Sequence, residues 1–366
     1  MSTALLASAK TKIGLASSNI ETALTGFARA PFEKRCSAGH CVHQGYAHIT
    51  QGWNPAAPGF VTSHYRTKDF IVAEKAIGSL GMTPCVFNEA ESFDGRIYRG
   101  PGYDVIPAVP SNDLTTNAIY SSQTGSAPWQ QEAGVPPTPR ECAALLNHDG
   151  FLYQFLGVRY NEYNYPTYVM PADAWRYSAV AGWQQRSANL GIERRSFGYV
   201  SWNGAIYIIG GADDLGTPGN PNYRTAYSEI WKSTDGMQSI QLVGNGPFGT
   251  VFGHRAAKFQ GHVVIVGGMT NSGTFSGPSV FTNKMWASND AGLAPESWFE
   301  CAPLPIAVAH AAVLVLTIDG VETLAVIGGY NNQTHSAGGP LGTIYTTASL
   351  NGPWVARYDS DFWELR

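Results

Sequence analysis

The feature that most limits how this chain can fold is a short apolar run, led by a turn glycine and closed by glycine, that keeps returning. It is clearest as Asn203-Gly204-Ala205-Ile206-Tyr207-Ile208-Ile209-Gly210-Gly211. Further copies run from Gly261 to Gly268 and from Gly320 to Gly329. Gly150 to Gly157 and Gly95 to Gly100 have the same outline, and Gly45-Tyr46-Ala47-His48-Ile49 is a weaker sixth copy. The leading glycines stand about 50 to 60 residues apart, the period of a propeller or a comparable repeat array.

Each unit divides into four strand-like parts. A first run follows a cation or histidine: Arg140 to Leu146, Arg195 to Trp202, Arg255 to Phe259, His310 to Leu316. The glycine-closed run comes second. After a long polar loop, a third segment carries an aromatic at Trp175, Trp231, Trp286 or Tyr345. A fourth carries tryptophan at Trp129, Trp183, Trp298 or Trp354, and the unit near Met237 lacks it. Segments this short, rich in β-branched and aromatic residues and bounded by Gly, Asn and Asp, predict antiparallel hairpins. Four such strands make one propeller blade, and radial repetition leaves only short, protected edges.

Glycine pairs suit the place where neighbouring blades crowd together, because glycine tolerates close backbone approach and positive φ. The aromatics of the third and fourth strands would fill the wedges between blades. Gly210-Gly211, Gly267-Gly268 and Gly328-Gly329, followed by an aromatic and then, except near Met237, a spaced tryptophan, resemble the kelch propeller family over roughly residues 36–358. The expected architecture is an all-β, six-bladed kelch-like propeller over residues 31–366, preceded by a helix at 1–30. The first two repeats depart from the pattern, since they lack the double glycine. Kelch propellers include enzymes and pure binding modules, so the resemblance constrains fold more than function. Ser233-Thr234-Asp235-Gly236, Ser288-Asn289-Asp290-Ala291-Gly292 and Ser349-Leu350-Asn351-Gly352 are similar to the Asp-box turns of sialidase-type propellers, a structural role.

Residues 3–27 read differently. Leu6, Ile13, Ile20 and Phe27 are spaced by sevens, with Ala9, Ala16 and Ala23 three residues after the first three. That a/d seam predicts a helix that needs a partner: its own copies, another protein, or its own propeller. Ala30-Pro31 would end it. In the irregular stretch that follows, Cys36, His40, Cys41, His43 and His48 lack the paired spacing of a structural zinc site, so no metal is expected.

Charged residues make up only 14% of the chain, against about a quarter in ordinary domains. A net charge of −4 lacks the basic stripe that nucleic acid requires. No apolar run reaches membrane-spanning length, and no leader pattern opens the chain. Five scattered cysteines imply no disulfide framework, so folding in a reducing cytoplasm is the expectation.

The loops between second and third strands are rich in Tyr, Asn, Ser and Gly, a composition suited to adaptable recognition. The residues expected to bind there are Arg159, Tyr160, Asn161, Tyr163, Asn164, Tyr165, Tyr168, Asn222, Tyr223, Tyr330, Asn331 and Asn332. Arg140, Arg195 and Arg255 are expected to ring the axis at the same face. There they would fasten adjacent blades or clamp an acidic sugar.

A heptad stalk, one propeller and polar aromatic loops resemble phage tail-fibre and receptor-binding proteins. The first reading is therefore a non-enzymatic attachment protein of a virion, assembled in the host cytoplasm. It would bind a host-surface glycan or protein and need no cofactor. Avidity would come from several heads on one particle. A sialidase-like glycosidase is the alternative, with Glu89, Glu91, Glu141 and Glu193 as candidate acids. A cytoplasmic kelch-like scaffold is the third.

Overall fold

The computed structural model describes residues 26–54, 59–103, 115–126, 128–159, 169–213, 225–271, 279–331 and 342–358. They form one five-stranded and five four-stranded antiparallel sheets, with three two-stranded ribbons beside them. Each of the six larger sheets is one blade, and its strands run in sequence order from the axis outward, except that the five-stranded blade is completed at its outer edge by the earliest strand. The first strands are Gly39–His43, Ala90–Phe93, Ala144–His148, Gly198–Trp202, Arg255–Phe259 and Ala312–Ile318.

The ring closes through backbone hydrogen bonds just ahead of those first strands. Phe87 N–H donates to Ser37 O, Cys142 to Phe87, Ser196 to Cys142, Gly253 to Ser196, His310 to Gly253, and Ser37 back to His310, at 2.7 to 3.2 Å. These residues share a left-handed backbone, with φ between 51° and 67°. A six-membered circle of this kind fixes the number of blades at six. The kink turns one amide sideways to the preceding blade in place of its own strand partner, so that this donor is satisfied.

A second set of bonds explains the closing glycines. Gly52, Gly157, Gly211, Gly268 and Gly329 donate to Cys85, Arg194, Val251, Val308 and Arg35, each at the start of the following blade. Their φ values run from 92° to 118°. A Cβ on Gly157 would lie 2.7 Å from Glu141 O. Side chains are excluded there by both conformation and space.

At the opposite ends of the first strands, two-residue turns lead into the second strands: Gln44-Gly45, Asp94-Gly95, Asp149-Gly150, Asn203-Gly204, Gln260-Gly261 and Asp319-Gly320. Both residues of each turn have positive φ, the type I′ geometry that matches strand twist. One face of the disc therefore carries tight turns, and the other carries the long loops.

The apolar core is divided. Six clusters occupy the six interfaces between blades, such as Phe155, Phe197, Ile206 and Met237 between blades 3 and 4. Trp129 and Trp298 are buried in such wedges, 4% and 6% exposed. Trp129, Trp298 and Trp354 sit just before their fourth strands, and only Trp183 lies within one. The turns at Asp235 and Asp290 are structural: Gln238 and Ser239 donate backbone N–H to Asp235 Oδ1, and Gly292 and Ala294 to Asp290 Oδ2.

One expectation needs correction at the N-terminal end. Phe27 is in a strand, not on a helix: Phe27–Arg29 pairs antiparallel with Glu74–Ala76 as the outermost strand of blade 1. Phe27 is buried against Cys41 and Ala76, because a sheet face provides the apolar contact that the heptad spacing assigned to a partner helix. The propeller thus begins before residue 31. Leu6, Ala9, Ile13, Ala16, Ile20 and Ala23 lie outside the described residues. Among the described residues, no helix is long and apolar enough to cross a membrane.

Candidate functional site

Two places deserve functional weight: the collar from which the long loops rise, and a pit on the axis. In the collar, the loop bases are held by short ribbons. Trp53–Asn54 pairs with Gly59–Phe60, Ala212–Asp213 with Thr225–Ala226, and Met269–Asn271 with Ser279–Phe281. Single bridges join Tyr103 to Thr115 and Arg159 to Val169. Neighbouring bases touch through aromatic rings: Phe60 stacks on Tyr103 at 6.3 Å, and Phe281 meets Tyr330 edge-on at 5.2 Å.

Of the residues expected to bind, Arg159 sits at a loop base and Tyr330 pairs with Ala309, while Asn331 is exposed. Tyr160, Asn161, Tyr163, Asn164, Tyr165, Tyr168, Asn222, Tyr223 and Asn332 lie outside the described residues.

The three arginines expected to form one ring hold three different positions. Arg140 precedes the bridge residue Glu141, Arg195 is itself a bridge residue, and Arg255 lies three beyond the bridge residue Phe252. Apolar runs of similar length hid these one- and three-residue offsets. Arg140 is fully buried and fastens its own blade, not its neighbour: it grips Asp173 with two bonds of 2.6 and 3.1 Å and donates to Leu156 O. Trp175 Nε1 donates to the same carboxylate at 2.8 Å. Blade 4 repeats the arrangement with Arg194, Glu229 and Trp231. This arginine–acid–indole clamp went unread in the sequence, although Asp173-x-Trp175 and Glu229-x-Trp231 carry it. It is structural, and it gives the third-strand tryptophans a polar role beside their packing.

Arg255 does reach the axis. Its Nη1 spans the ring to Glu89 Oε1 at 2.5 Å, from blade 5 to the blade diametrically opposite. Nε donates to Ala311 O at 3.3 Å, and Tyr199 Oη donates to Glu89 Oε2 at 3.1 Å. Burial pulls the guanidinium down, but Glu89 and Tyr199 outweigh it and hold its pKa above the ordinary value. Burial, and then Glu89, push the Tyr199 phenol well up.

This bridge lies between the backbone circle and a cavity of about 360 Å³ lined by the first strands. The cavity runs toward the ends of those strands, where Val42 is 37% exposed and Asn147 and Lys258 are exposed, so it opens on the face of the tight turns. On the other side Phe87 and His310 meet edge-on at 5.4 Å across blade 1, narrowing the axis at the level of the circle.

Two of the candidate acids meet in this pit. Glu89 is consumed by Arg255 and Tyr199. Glu91, two residues on, accepts the backbone N–H of Ser92 at 2.8 Å, and among the described residues no cation pairs with it. Burial raises its pKa to about 7, against the opposing pull of neighbouring amides and Lys258. Burial, and then Arg255, lower His40 to about 3, so its ring is neutral and donates Nδ1–H to Ala38 O. Glu141 and Glu193 are elsewhere, at the start of blade 3 and before blade 4.

The remaining cysteines and histidines of the irregular stretch are spread between blades. His43 bonds Ser92 Oγ and Gln123 O, and His48 Nδ1 meets His64 Nε2 at 2.9 Å in a buried pair. All five cysteines are buried and unbridged, and among the described residues no three His, Cys, Asp or Glu side chains converge as for a metal.

Comparison with known proteins agrees with the architecture. No family model matches the chain, and no curated protein matches it. Among solved structures, that of YjhT superposes with a TM-score of 0.66 at 13% sequence identity, covering 88% of this chain and 97% of that one. At that identity the likeness is one of fold: this chain is an all-β, six-bladed propeller.

Proposed function

We propose that the chain is a non-enzymatic recognition head of kelch-like type, of the kind carried on virion tail fibres. Its loop face binds a host-surface glycan or protein. The carrying observation is the collar: three loop bases are held by ribbons, and neighbouring bases interlock through aromatic rings around one face. Rigid supports under polar aromatic loops lower the ordering cost of binding. Residues 1–25 would attach the head to its own copies or to another tail protein.

A glycosidase is the second reading, favoured by the Tyr199–Glu89 contact and the nearby Glu91. It has less support, because hydrolysis needs two working carboxylates or a tyrosine freed as nucleophile. Here Arg255 holds Glu89, and the Tyr199 phenol is harder to ionise than usual.

A glycan array and host-cell binding assay with the full chain, scored for both retention and cleavage, tests the proposal. Retention that disappears when 161–167 is replaced by a Gly-Ser linker is the expected result. Turnover of any glycoside, lost in Glu91→Gln, would replace the binding head by the hydrolase.

A further inference from the structure

The axial pit is on the side of the disc away from the long loops, and the loop-face reading makes no use of it. Its volume, about 360 Å³, falls within the range of small-molecule sites. The floor is closed by the Arg255–Glu89–Tyr199 bridge, whose charges already match. The walls are mixed: Val42, Val313 and Val315 are apolar, while the open edges of the first strands present backbone amides and carbonyls.

Six titratable or charged groups face Glu91. Glu89 and Arg255 neutralise one another. Cys41 and Tyr199 are held protonated by burial, and burial keeps His40 uncharged. Lys258 is exposed at the mouth, where water screens it. Glu91 is therefore the one carboxyl of the pit without a matching cation among the described residues.

We propose that this pit is a second ligand site, which takes a small primary ammonium ion with its charge on Glu91 and its carbon body against the valines. A neutral ligand would leave Glu91 either protonated or charged and unpaired, and an anion would be repelled. An ammonium supplies the missing charge and three donors for the carboxylate and the strand-edge carbonyls.

Cyclohexylamine and cyclohexanol, equal in shape and different in charge, can be titrated into the full chain by calorimetry. At pH 8 the amine should bind at least about ten-fold more tightly than the alcohol, the effect of one charge-assisted bond. Glu91→Gln should erase that preference. Amine affinity should fall about ten-fold per pH unit below about 7 as Glu91 takes up its proton. Lys258→Gln, at the exposed mouth, should raise amine affinity a few-fold. Equal binding of amine and alcohol, no binding of either at millimolar concentration, or an amine preference that survives in Glu91→Gln overturns the proposal. If Glu91→Gln does not melt as a folded protein, the pH limb and Lys258→Gln decide: an amine affinity unmoved by both overturns it.

Discussion

The two faces of the disc are built on opposite principles. On the turn face, each first and second strand is joined by two residues whose positive φ values answer only to local twist. A Cβ on Gly45, Gly95, Gly150, Gly204, Gly261 or Gly320 would meet nothing within 4 Å. On the loop face, closing glycines such as Gly157 are pressed against their own first strand while their amides bond the next blade, and kinked residues hand their amides around the axis. The turn face holds blades together internally; the loop face holds the blades to one another. The same residue type is therefore worth different amounts at the two ends of one strand.

The largest test concerns the bridge that separates the faces. Arg255→Met leaves Glu89 buried without its cation and should cost about 3–5 kcal/mol in denaturant unfolding. Adding Glu89→Gln should restore more than half of the loss. A full loss in the double variant would mean that packing, not charge, dominates there.

The contrast of glycines comes next. Gly157→Ala should cost about 3 kcal/mol, from left-handed strain plus a clash with the Glu141 carbonyl. Gly204→Ala, at φ 73° against 106° and in open space, should cost about 1 kcal/mol. Equal losses measured by the same denaturation would erase the distinction between the faces.

Acid should lower the stability of the ring. His48 and His254 are buried neutral, lowered to about 3 by desolvation first, and His254 Nε2 accepts the Gly198 amide at 3.1 Å. Between about pH 6.5 and 3 the unfolded chain takes up protons that the folded chain refuses. Stability should thus be full above about 6.5 and decline as pH falls, by up to about 1.4 kcal/mol per unit for each histidine. His40, lowered likewise, adds to the slope. A flat unfolding free energy from pH 7 to 5 would contradict this.

The smallest effect is local. Asp235→Ala removes a carboxylate that accepts two backbone amides in a turn between outer strands, and it should cost about 1 kcal/mol.

What was legible in the sequence was what neighbours along the chain decide. The turn glycines, the apolar second strands and the aspartate turns recur because each solves a problem spanning a few residues, and their period alone implies blades. The weak copy at Gly45 is a true second strand, Tyr46–Thr50. Spacing misled where two periods coincide: Phe27 continues a seven-residue rhythm, yet it completes a sheet. Aligning Arg140, Arg195 and Arg255 failed because a strand start can slip by a residue without disturbing its apolar pattern.

By itself, the sequence determined that this chain folds as a tandem array of four-stranded units whose glycines mark the turns and the blade junctions. Only the tertiary structure decided that six units close into a circle, that Arg255 meets a carboxylate 166 residues away, and that Glu91 stands alone in a pit. The reason is distance along the chain. Contacts between opposite blades leave no periodic trace in composition, because each residue involved occurs once and is matched only after the ring has shut.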